Sequence, residues 1–284
     1  MSRVPGAPRT PRPRRYLLCA PRYFEVRYAI NPWMRADVPV DTGRALAQWE
    51  SLVRVHRGLG HTVETAEPVA GLPDMVFAAN AALVLDGRAL GSRFHAEQRR
   101  AEAAAYGVWF AAAGYEVRGA ASVCEGEGDL TPVGGVVLAG TGFRTARAAH
   151  REVREFFGVP VVGLRLVDPY FYHLDTALFA LDDENIAYYP GAFSPGSRAK
   201  LARLFPDAVI ATRDDALAFG LNSVSDGAHV IVAPAATELI GELERRGYLP
   251  VPVDLSEFHK AGGGAKCCTQ ELHGAPPAPP LAGA

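Results

Sequence analysis

The sequence predicts an α/β fold in which five strand-strand-helix-strand (ββαβ) units form a closed ring, like the blades of a propeller. A hairpin, a helix and a further strand recur four times, roughly every 45 residues, and such a period is typical of repeated supersecondary units. A fifth unit is split, because the chain begins with a strand, a helix and a strand and ends with a single strand. Pairing the two terminal strands would close a pseudo-fivefold ring and remove exposed sheet edges.

Hairpin turns identify the four complete units. Asp-Gly and Gly-Gly between apolar runs favour two-residue turns, because these residues accept the positive φ that such turns require. The turns are predicted at Asp86-Gly87, Gly134-Gly135, Asp182-Asp183 and Asp226-Gly227.

Helices and closing strands follow each hairpin. The helices are predicted at residues 95–113, 145–157, from 195 onward and 237–246, and the strands at 115–118, 159–166, 208–211 and 248–253. In the split unit Asp41 is a helix cap, strands are predicted at 16–19 and 61–67, and the last strand at 267–273. An open doubly wound sheet is the alternative, but it would carry a glycine-rich dinucleotide fingerprint and no hairpins.

The composition is that of an ordinary globular protein. A formal charge of −2 and 49% hydrophobic residues indicate no general affinity for nucleic acid. No apolar stretch approaches the 18 or so residues of a membrane span. We expect a disordered basic tail over residues 1–14 with no secretory signal, one catalytic domain over 15–273, and a disordered Pro/Ala-rich tail over 274–284.

Four cysteines are present, at positions 19, 124, 267 and 268. Without an export signal they predict free thiols and a cytoplasmic location. No Cys-x-x-Cys pair is present to build a zinc site, so neither a metal nor a cofactor is expected.

A triple glycine directly precedes Ala265, Lys266, Cys267 and Cys268. Glycines let the backbone turn tightly, which suits a nucleophile presented at the start of a strand. The alternative is a flexible loop leading to two buried, inert cysteines.

Polar residues stand at the equivalent point of every unit, just before its first strand. They are Asn80, the acidic run from Glu125 to Asp129, His173 with Asp175, Asn222, and Cys267. Three further residues, Asn31, Arg93 and Arg144, follow the second strands and should face the same end of the ring. The sequence therefore predicts one site at the ring axis.

Thiol, imidazole and carboxylate together make a nucleophilic set. Cys267 would attack, His173 would transfer protons, and Glu125 would orient the imidazole or hold a cationic substrate. As alternatives, His173 could be a core histidine, and the acidic run could hold a hard metal ion or be a solvated turn. Acids beside a thiol suit a guanidinium substrate, and Arg93 with Arg144 would suit its carboxylate.

At these residues the chain resembles the pentein superfamily of guanidino-group modifying enzymes, which includes arginine deiminases, dimethylarginine dimethylaminohydrolases, amidinotransferases and arginine dihydrolases. The resemblance covers roughly residues 15–273. The matching motifs are Pro73-Asp74-Met75-Val76-Phe77 with Asn80, Glu125-Gly126-Glu127-Gly128-Asp129, Gly142-Phe143-Arg144-Thr145, His173-Leu174-Asp175-Thr176 and Gly263-Gly264-Ala265-Lys266-Cys267.

The resemblance implies a five-unit propeller and a role for each matching residue. Cys267 would be the nucleophile with Cys268 as its strand neighbour, His173 the general acid/base, and Glu125 the triad acid with Glu127 as the alternative. Asp175 would bind the guanidinium, while Arg93 and Arg144 would bind the substrate carboxylate. Asn80 stands where dimethylarginine hydrolases and deiminases carry an acid, and with Asn31 it is similar to the asparagines of arginine dihydrolases.

The expected function is therefore cofactor-free hydrolysis of arginine or an N-methylated arginine through a covalent thiouronium. An amidinotransferase and a non-catalytic binding protein are the alternatives. The expected partner is a small-molecule substrate, without nucleic acid or membrane, and a homo-oligomer remains open.

Overall fold

The computed structural model describes residues 9–274, and within them the strands form five three-stranded sheets in a mixed α/β fold. In chain order the strands are β1 (Arg15–Cys19), β2 (Thr62–Ala66), β3 (Ala82–Leu85), β4 (Arg88–Gly91), β5 (Glu116–Gly119), β6 (Leu130–Val133), β7 (Val136–Thr141), β8 (Val161–Arg165), β9 (Leu178–Ala180), β10 (Ile186–Tyr188), β11 (Val209–Ile210), β12 (Val224–Ser225), β13 (His229–Val232), β14 (Leu249–Pro252) and β15 (Gln270–Glu271). The helices are α1 (Thr42–Gly58), α2 (Glu102–Ala112), α3 (Ala149–Phe157), α4 (Pro195–Leu204), α5 (Arg213–Leu217), α6 (Thr237–Arg245) and α7 (Ser256–His259).

All five sheets share one plan. The middle strand pairs antiparallel with the first strand and parallel with the third, as in β3-β4-β5 and β6-β7-β8. A parallel connection must return to the starting end of the sheet, and here a helix makes that return. The repeated strand-strand-helix-strand unit predicted from the sequence is therefore confirmed.

The fifth sheet joins the two ends of the chain. Strand β1 lies in its middle, with β15 antiparallel on one side and β2 parallel on the other. Leu17 pairs with Gln270, and Arg15 pairs with Thr62. The predicted pairing of the terminal strands is confirmed.

Two of the predicted turns have the φ angles that two-residue hairpins need. Asp86 and Gly87 have φ values of 47° and 77°, and Gly134 and Gly135 have 53° and 91°. The third turn is longer than predicted, because Leu181 N donates to Asn185 O across residues 182–184. The Asp182 carboxylate caps that loop by accepting from the backbone N–H of Asn185 at 2.9 Å.

Helix boundaries differ from prediction mainly at the N-terminal ends. Asp41 caps α1 as predicted, and its carboxylate accepts from Arg44 N at 2.9 Å. Helix α2 begins at Glu102 rather than near residue 95, because residues 97–99 form a separate 3-10 turn. The short helices α5 and α7 were not predicted.

The predicted last strand is wrong in its extent. Strand β15 spans only Gln270–Glu271, and Cys267 and Cys268 lie in a tight turn before it. Cys268 N donates to Gly264 O at 3.1 Å and Thr269 N donates to Lys266 O at 2.9 Å, which are helical-type contacts. The glycines allow this turn, so Cys268 is not a strand neighbour of Cys267.

Hydrophobic cores are shared between successive sheets. Leu83 of β3 packs with Leu130 of β6, and Leu138 of β7 packs with Leu178 of β9. The same core continues to Val230 of β13. Two further cores join the split sheet to its neighbours on either side, through Tyr16 with Ile231 and through Leu17 with Val84.

Residues 9–14, predicted to belong to a disordered tail, lie against the hairpin turns. Arg9 Nη1 is 2.8 Å from Asp182 Oδ2, Arg12 pairs with Asp183, and Arg14 Nη1 is 3.1 Å from Glu271 Oε1. Acidic residues of one hairpin turn and of β15 hold this basic segment, and composition alone did not indicate them. The tail predictions for residues 1–8 and 275–284 lie outside the described residues.

Within the described range no helix is long and apolar enough to cross a bilayer.

Candidate active site

Five buried polar side chains, one from each unit, meet at one end of the sheets. Each stands just before the first strand of its sheet, in a turn or a short 3-10 segment. They are Asn80, Glu125, His173, Asn222 and Cys267, and none is more than 2% exposed. The structure thus brings together residues that the repeat placed at equivalent points.

Cys267 is held between an amide and a carboxylate. Asn222 Nδ2 donates to the sulfur at 3.1 Å, and the thiol donates to Asp175 Oδ2 at 3.0 Å. Burial first, and then the neighbouring Asp175 charge, raise the pKa of the Cys267 thiol well above its usual value. These contacts favour the protonated thiol, and a cationic ligand beside Asp175 would favour the thiolate.

Asn222 also fixes the loop that carries Cys267. Its Oδ1 accepts from Gly264 N at 2.9 Å and from Cys267 N at 3.0 Å. Its amide group donates to Asp175 O at 3.1 Å as well as to the sulfur. The repeat located Asn222, but its position alone did not indicate that it touches the thiol.

His173 is paired with Glu125. His173 Nε2 lies 2.7 Å from Glu125 Oε2, which Arg144 Nη1 also approaches at 3.2 Å. The other oxygen of Glu125 accepts from His95 N at 2.9 Å. Burial alone would raise the pKa of Glu125, but its bond to His173 and the charges of His173 and Arg144 hold it well below normal.

Glu127 lies in a different cluster. Its carboxylate accepts from Lys266 Nζ at 2.6 Å and from Glu271 N at 2.9 Å, and it is 2.9 Å from His273 Nε2. Of the two candidate acids, the structure places only Glu125 against His173. Among the described residues no group of three or more His, Cys, Asp or Glu side chains is arranged to hold a metal ion.

Close backbone approach requires glycine at position 128. A side chain there would come within 2.2 Å of Asn80 Nδ2 and 3.3 Å of His173 Nδ1. Gly128 therefore lets the second unit bring Glu125 up against its neighbours.

A narrow cavity opens above Cys267. Its free space is only about 10 Å³, room for about one water molecule. Its polar lining residues are Asn31, Asp74, Asn80, Arg99, Arg144 and Tyr172.

Three buried polar atoms of this region have no hydrogen-bond partner within residues 9–274: Asp74 Oδ1, Asp175 Oδ1 and His173 Nδ1. Burial raises the pKa of both aspartates. An unpaired buried acceptor is costly, so the site is suited to a ligand that carries several N–H groups.

Of the two predicted arginines only Arg144 reaches the cavity. Its guanidinium lies 4.9 Å from the ring centre of Tyr172 and donates to the carbonyl of Ile30. Arg93 is instead exposed, with its guanidinium on the carbonyl of Ala121, so its placement at the site was wrong. Arg93 lies two residues beyond the end of β4 and is exposed there, which the repeat spacing does not reveal.

Arg99 takes the place expected of Arg93. It is 4% exposed, donates to Asn80 Oδ1 at 2.8 Å, and pairs with Glu102 at 2.8 Å. Asp74, which accepts from the Tyr28 hydroxyl at 2.7 Å, was quoted in a motif but not predicted as a site residue. Arg99 and Glu102 are three residues apart, a spacing that brings side chains together on a helical segment. This spacing could have indicated the ion pair from the sequence.

Both asparagines predicted at the site, Asn31 and Asn80, make hydrogen bonds to other parts of the protein. Asn31 Oδ1 accepts from Trp33 N at 2.9 Å and its amide donates to Ala261 O at 3.0 Å, so it shapes its own loop. Asn80 Nδ2 donates to Glu125 O at 3.3 Å.

No family model matches this chain. It is 51% identical over 270 residues to an N(G),N(G)-dimethylarginine dimethylaminohydrolase of Mycobacterium tuberculosis, covering 94% of this chain and 89% of that protein. It is 37% identical over 262 residues to the bifunctional arginine dihydrolase/ornithine cyclodeaminase AgrE of Nostoc, covering 90% of this chain but only 37% of AgrE.

The chain is also similar in structure to a solved arginine dihydrolase. The N-terminal domain of ArgZ, a cyanobacterial arginine dihydrolase, was solved with substrate bound to a cysteine-to-serine mutant, and superposes with a TM-score of 0.88 at 33% identity. The match covers 92% of this chain and 98% of that domain.

Proposed function

The chain belongs to the family of the dimethylarginine dimethylaminohydrolases, and we propose that it hydrolyses the guanidino group of arginine or an N-methylated arginine with Cys267 as the nucleophile. It is a cysteine-dependent hydrolase of guanidino C–N bonds. The observation that carries the choice of residues is the thiol of Cys267 on Asp175, beside the His173–Glu125 pair in one buried site.

Substrate binding would activate the nucleophile. The guanidinium N–H groups pair with Asp175, whose Oδ1 has no partner within the described residues. The positive charge then offsets the effect of Asp175 on the sulfur, and the thiol proton passes to His173. Glu125 stabilises the resulting imidazolium.

The chemistry would follow in two steps. The thiolate adds to the guanidinium carbon, and the C–N bond to the departing amine breaks as His173 gives that amine its proton. The product is a covalent thiouronium on Cys267. Water then adds to the same carbon as His173 takes its proton, and the C–S bond breaks to release a ureido product.

The remaining site residues would bind the amino-acid part of the substrate. Arg144 and Arg99 both line the cavity, and their guanidinium groups suit an α-carboxylate. The unpaired Asp74 Oδ1 suits an α-ammonium group. Because the cavity has room for little more than one water, the loop carrying Ile30 and Asn31 must move to admit a substrate.

We further propose that the five sheets form the predicted closed ring, and that residues 15–273 are one catalytic domain. Cores shared between every successive pair of sheets, including the split sheet with both its neighbours, support both. All four cysteines are free, which supports a reducing, cytoplasmic location.

The number of hydrolysis cycles is tested by the products. Asn80 is neutral, so it favours arginine as substrate, with ornithine, ammonia and carbon dioxide as products after a second cycle. Arginine and dimethylarginine are each incubated with the protein while ammonia, dimethylamine, citrulline and ornithine are measured. Dimethylamine with citrulline would identify a dimethylarginine hydrolase, and ornithine with ammonia an arginine dihydrolase.

The nucleophile is tested by a matched pair of variants. Cys267→Ser should abolish product formation, whereas Cys268→Ser, at the adjacent buried thiol, should retain it. If Cys267→Ser keeps more than a few per cent of the activity, the mechanism is wrong. Added glycine should yield no amidino transfer, and its amidination would point to a transferase.

A further inference from the structure

A cationic groove lies outside the active site, between the second and third complete units. It is formed by α3 and β8 on one side and the start of α4 on the other, and it encloses about 480 Å³. We call it the basic groove. Its cationic residues are Arg147, Arg151, Arg154, Arg165 and Lys200.

The charge of the basic groove is unbalanced. Its lining residues all fall within the described range, and none of them is Asp or Glu. The whole chain, by contrast, carries 29 Lys and Arg against 31 Asp and Glu. A concave surface that collects cations in an overall acidic protein concentrates positive potential at one place.

These cations are also available to a ligand. Within residues 9–274, Arg147, Arg154 and Arg165 take part in no ion pair, whereas exposed arginines elsewhere, such as Arg35 and Arg245, hold a carboxylate at 2.6 and 2.7 Å. Arg151 approaches Glu155 only at 3.8 Å, with both side chains mostly exposed. Three guanidinium groups therefore offer their charge to the groove without a competing carboxylate.

The start of α4 adds a second feature that favours anions. The ten-residue helix begins at Pro195, with Ser194 as its cap. Gly196 lines the groove at the second helical position, and a Cβ there would meet no atom within 4 Å, so its backbone borders open space. The backbone N–H of Gly196 and the helix dipole both attract negative charge at this end.

One edge of the groove belongs to the segment that carries Arg144. Thr141 and Arg147 line the groove, and Thr141 Oγ1 donates to Thr145 O at 2.9 Å. Between them, Arg144 reaches the catalytic carboxylate of Glu125 at 3.2 Å. An anion that restrains Thr141 and Arg147 would therefore restrain the position of Arg144.

We propose that the basic groove binds a small molecule carrying a chain of two or three linked phosphoryl groups, and that its occupancy alters substrate binding through Arg144. Several arginines around one concavity match several phosphoryl groups, since the guanidinium fork pairs with two oxygens at once. The volume falls in the range of small-molecule sites, and the cations surround a pocket rather than forming the extended stripe that a nucleic acid needs.

Binding is tested by calorimetry on the full chain, with tripolyphosphate, ATP and orthophosphate as probes in EDTA at low salt. Tripolyphosphate and ATP should bind at least tenfold more tightly than orthophosphate, and binding should weaken as salt increases. Equal affinity for tripolyphosphate and ATP would assign the site to the phosphoryl chain alone, whereas tighter ATP binding would add the nucleoside.

The double variant Arg154→Glu/Arg165→Glu should weaken tripolyphosphate binding at least thirtyfold. The matched control Arg57→Glu/Arg100→Glu reverses two exposed arginines away from the groove and should change it less than twofold. No binding, equal losses in both double variants, or orthophosphate binding as tightly as tripolyphosphate would each overturn the proposal. Tighter binding of a single-stranded RNA 20-mer, lost in the same groove variant, would make the surface a nucleic-acid site instead.

The proposed effect of groove binding on substrate binding through Arg144 rests on the proposed function. It is measured by kinetics, separately from the calorimetry. Saturating tripolyphosphate should change kcat/KM for the guanidino substrate at least threefold in the wild type, and not in Arg154→Glu/Arg165→Glu. If tripolyphosphate binds but kcat/KM does not change, the coupling between the basic groove and substrate binding is overturned, while the binding site itself stands. Failure of the proposed function would be recognised by the absence of any guanidine hydrolysis, with calorimetric binding still measurable.

Discussion

Replacing Asp175 by Asn should affect the free thiol and the catalysed reaction in opposite directions. The carboxylate lies 3.0 Å from the Cys267 sulfur and raises the pKa of the thiol. Two unit charges at that distance repel by roughly 5 kcal/mol at an effective dielectric constant of about 20, which is an upper bound for this pair. Asn has nearly the same shape as Asp, so the variant removes mainly the charge.

The free enzyme should then become more reactive. Every 1.36 kcal/mol changes the thiolate population tenfold, so we expect alkylation of Cys267 by neutral iodoacetamide at pH 7 to be at least tenfold faster in Asp175→Asn. Fragment-ion sequencing of the peptides by mass spectrometry separates Cys267 from the other three buried thiols, including the adjacent Cys268. The midpoint of the pH–alkylation profile should fall.

Turnover should nevertheless decline. Removing the buried partner of a guanidinium costs about 3 kcal/mol or more, so kcat/KM for arginine should fall over a hundredfold. Asp183→Asn, at an exposed turn, is the control and should change neither quantity. An unchanged or raised alkylation midpoint in Asp175→Asn, with an intact thermal unfolding transition, would refute the assigned electrostatics.

Three further predictions follow, two from the contacts of the site and one from His56, a buried histidine of α1 whose Nε2 lies 3.2 Å from Thr269 Oγ1. Asn222→Asp keeps the oxygen that accepts from Cys267 N but replaces the N–H donor at the sulfur with a second carboxylate oxygen. The value of kcat/KM should therefore fall at least tenfold, and the midpoint of the pH–alkylation profile should rise. An unchanged midpoint would contradict the 3.1 Å contact. Gly128→Ala should displace the Asn80 amide and lower kcat/KM at least tenfold while leaving the fold intact by circular dichroism; full activity would show that the turn can shift. Burial lowers the pKa of His56 to about 3, whereas the same imidazole in the unfolded chain has a pKa near 6.5. The contribution of the neutral His56 to the free energy of unfolding is therefore present above pH 6.5. It is lost as the pH falls toward 3, by roughly 1.4 kcal/mol per pH unit. In His56→Gln, urea unfolding should show a correspondingly shallower loss between pH 6.5 and 4, and an unaltered slope would exclude this histidine as the cause.

The sequence alone determined the repeat and the end of the sheets at which the site lies. Both follow from local rules: turn residues such as Asp86 and Gly87 must accept positive φ, and strands and helices carry their own periodicity. Because the units repeat, residues at equivalent positions in different units must lie at the same end. Thus Cys267, His173 and Glu125 could be predicted as neighbours without any contact being known.

Tertiary structure decided which neighbours touch. Glu125 and Glu127 are two residues apart and equally acidic, and only the packing of the third unit against the second brings His173 to Glu125. Arg99 rather than Arg93 lines the cavity because side-chain direction depends on the exact turn geometry. The contact of Asn222 with Cys267 and the gathering of cations from α3, β8 and α4 in the basic groove join residues distant in sequence. No local pattern records such contacts, because they are fixed by how the units pack.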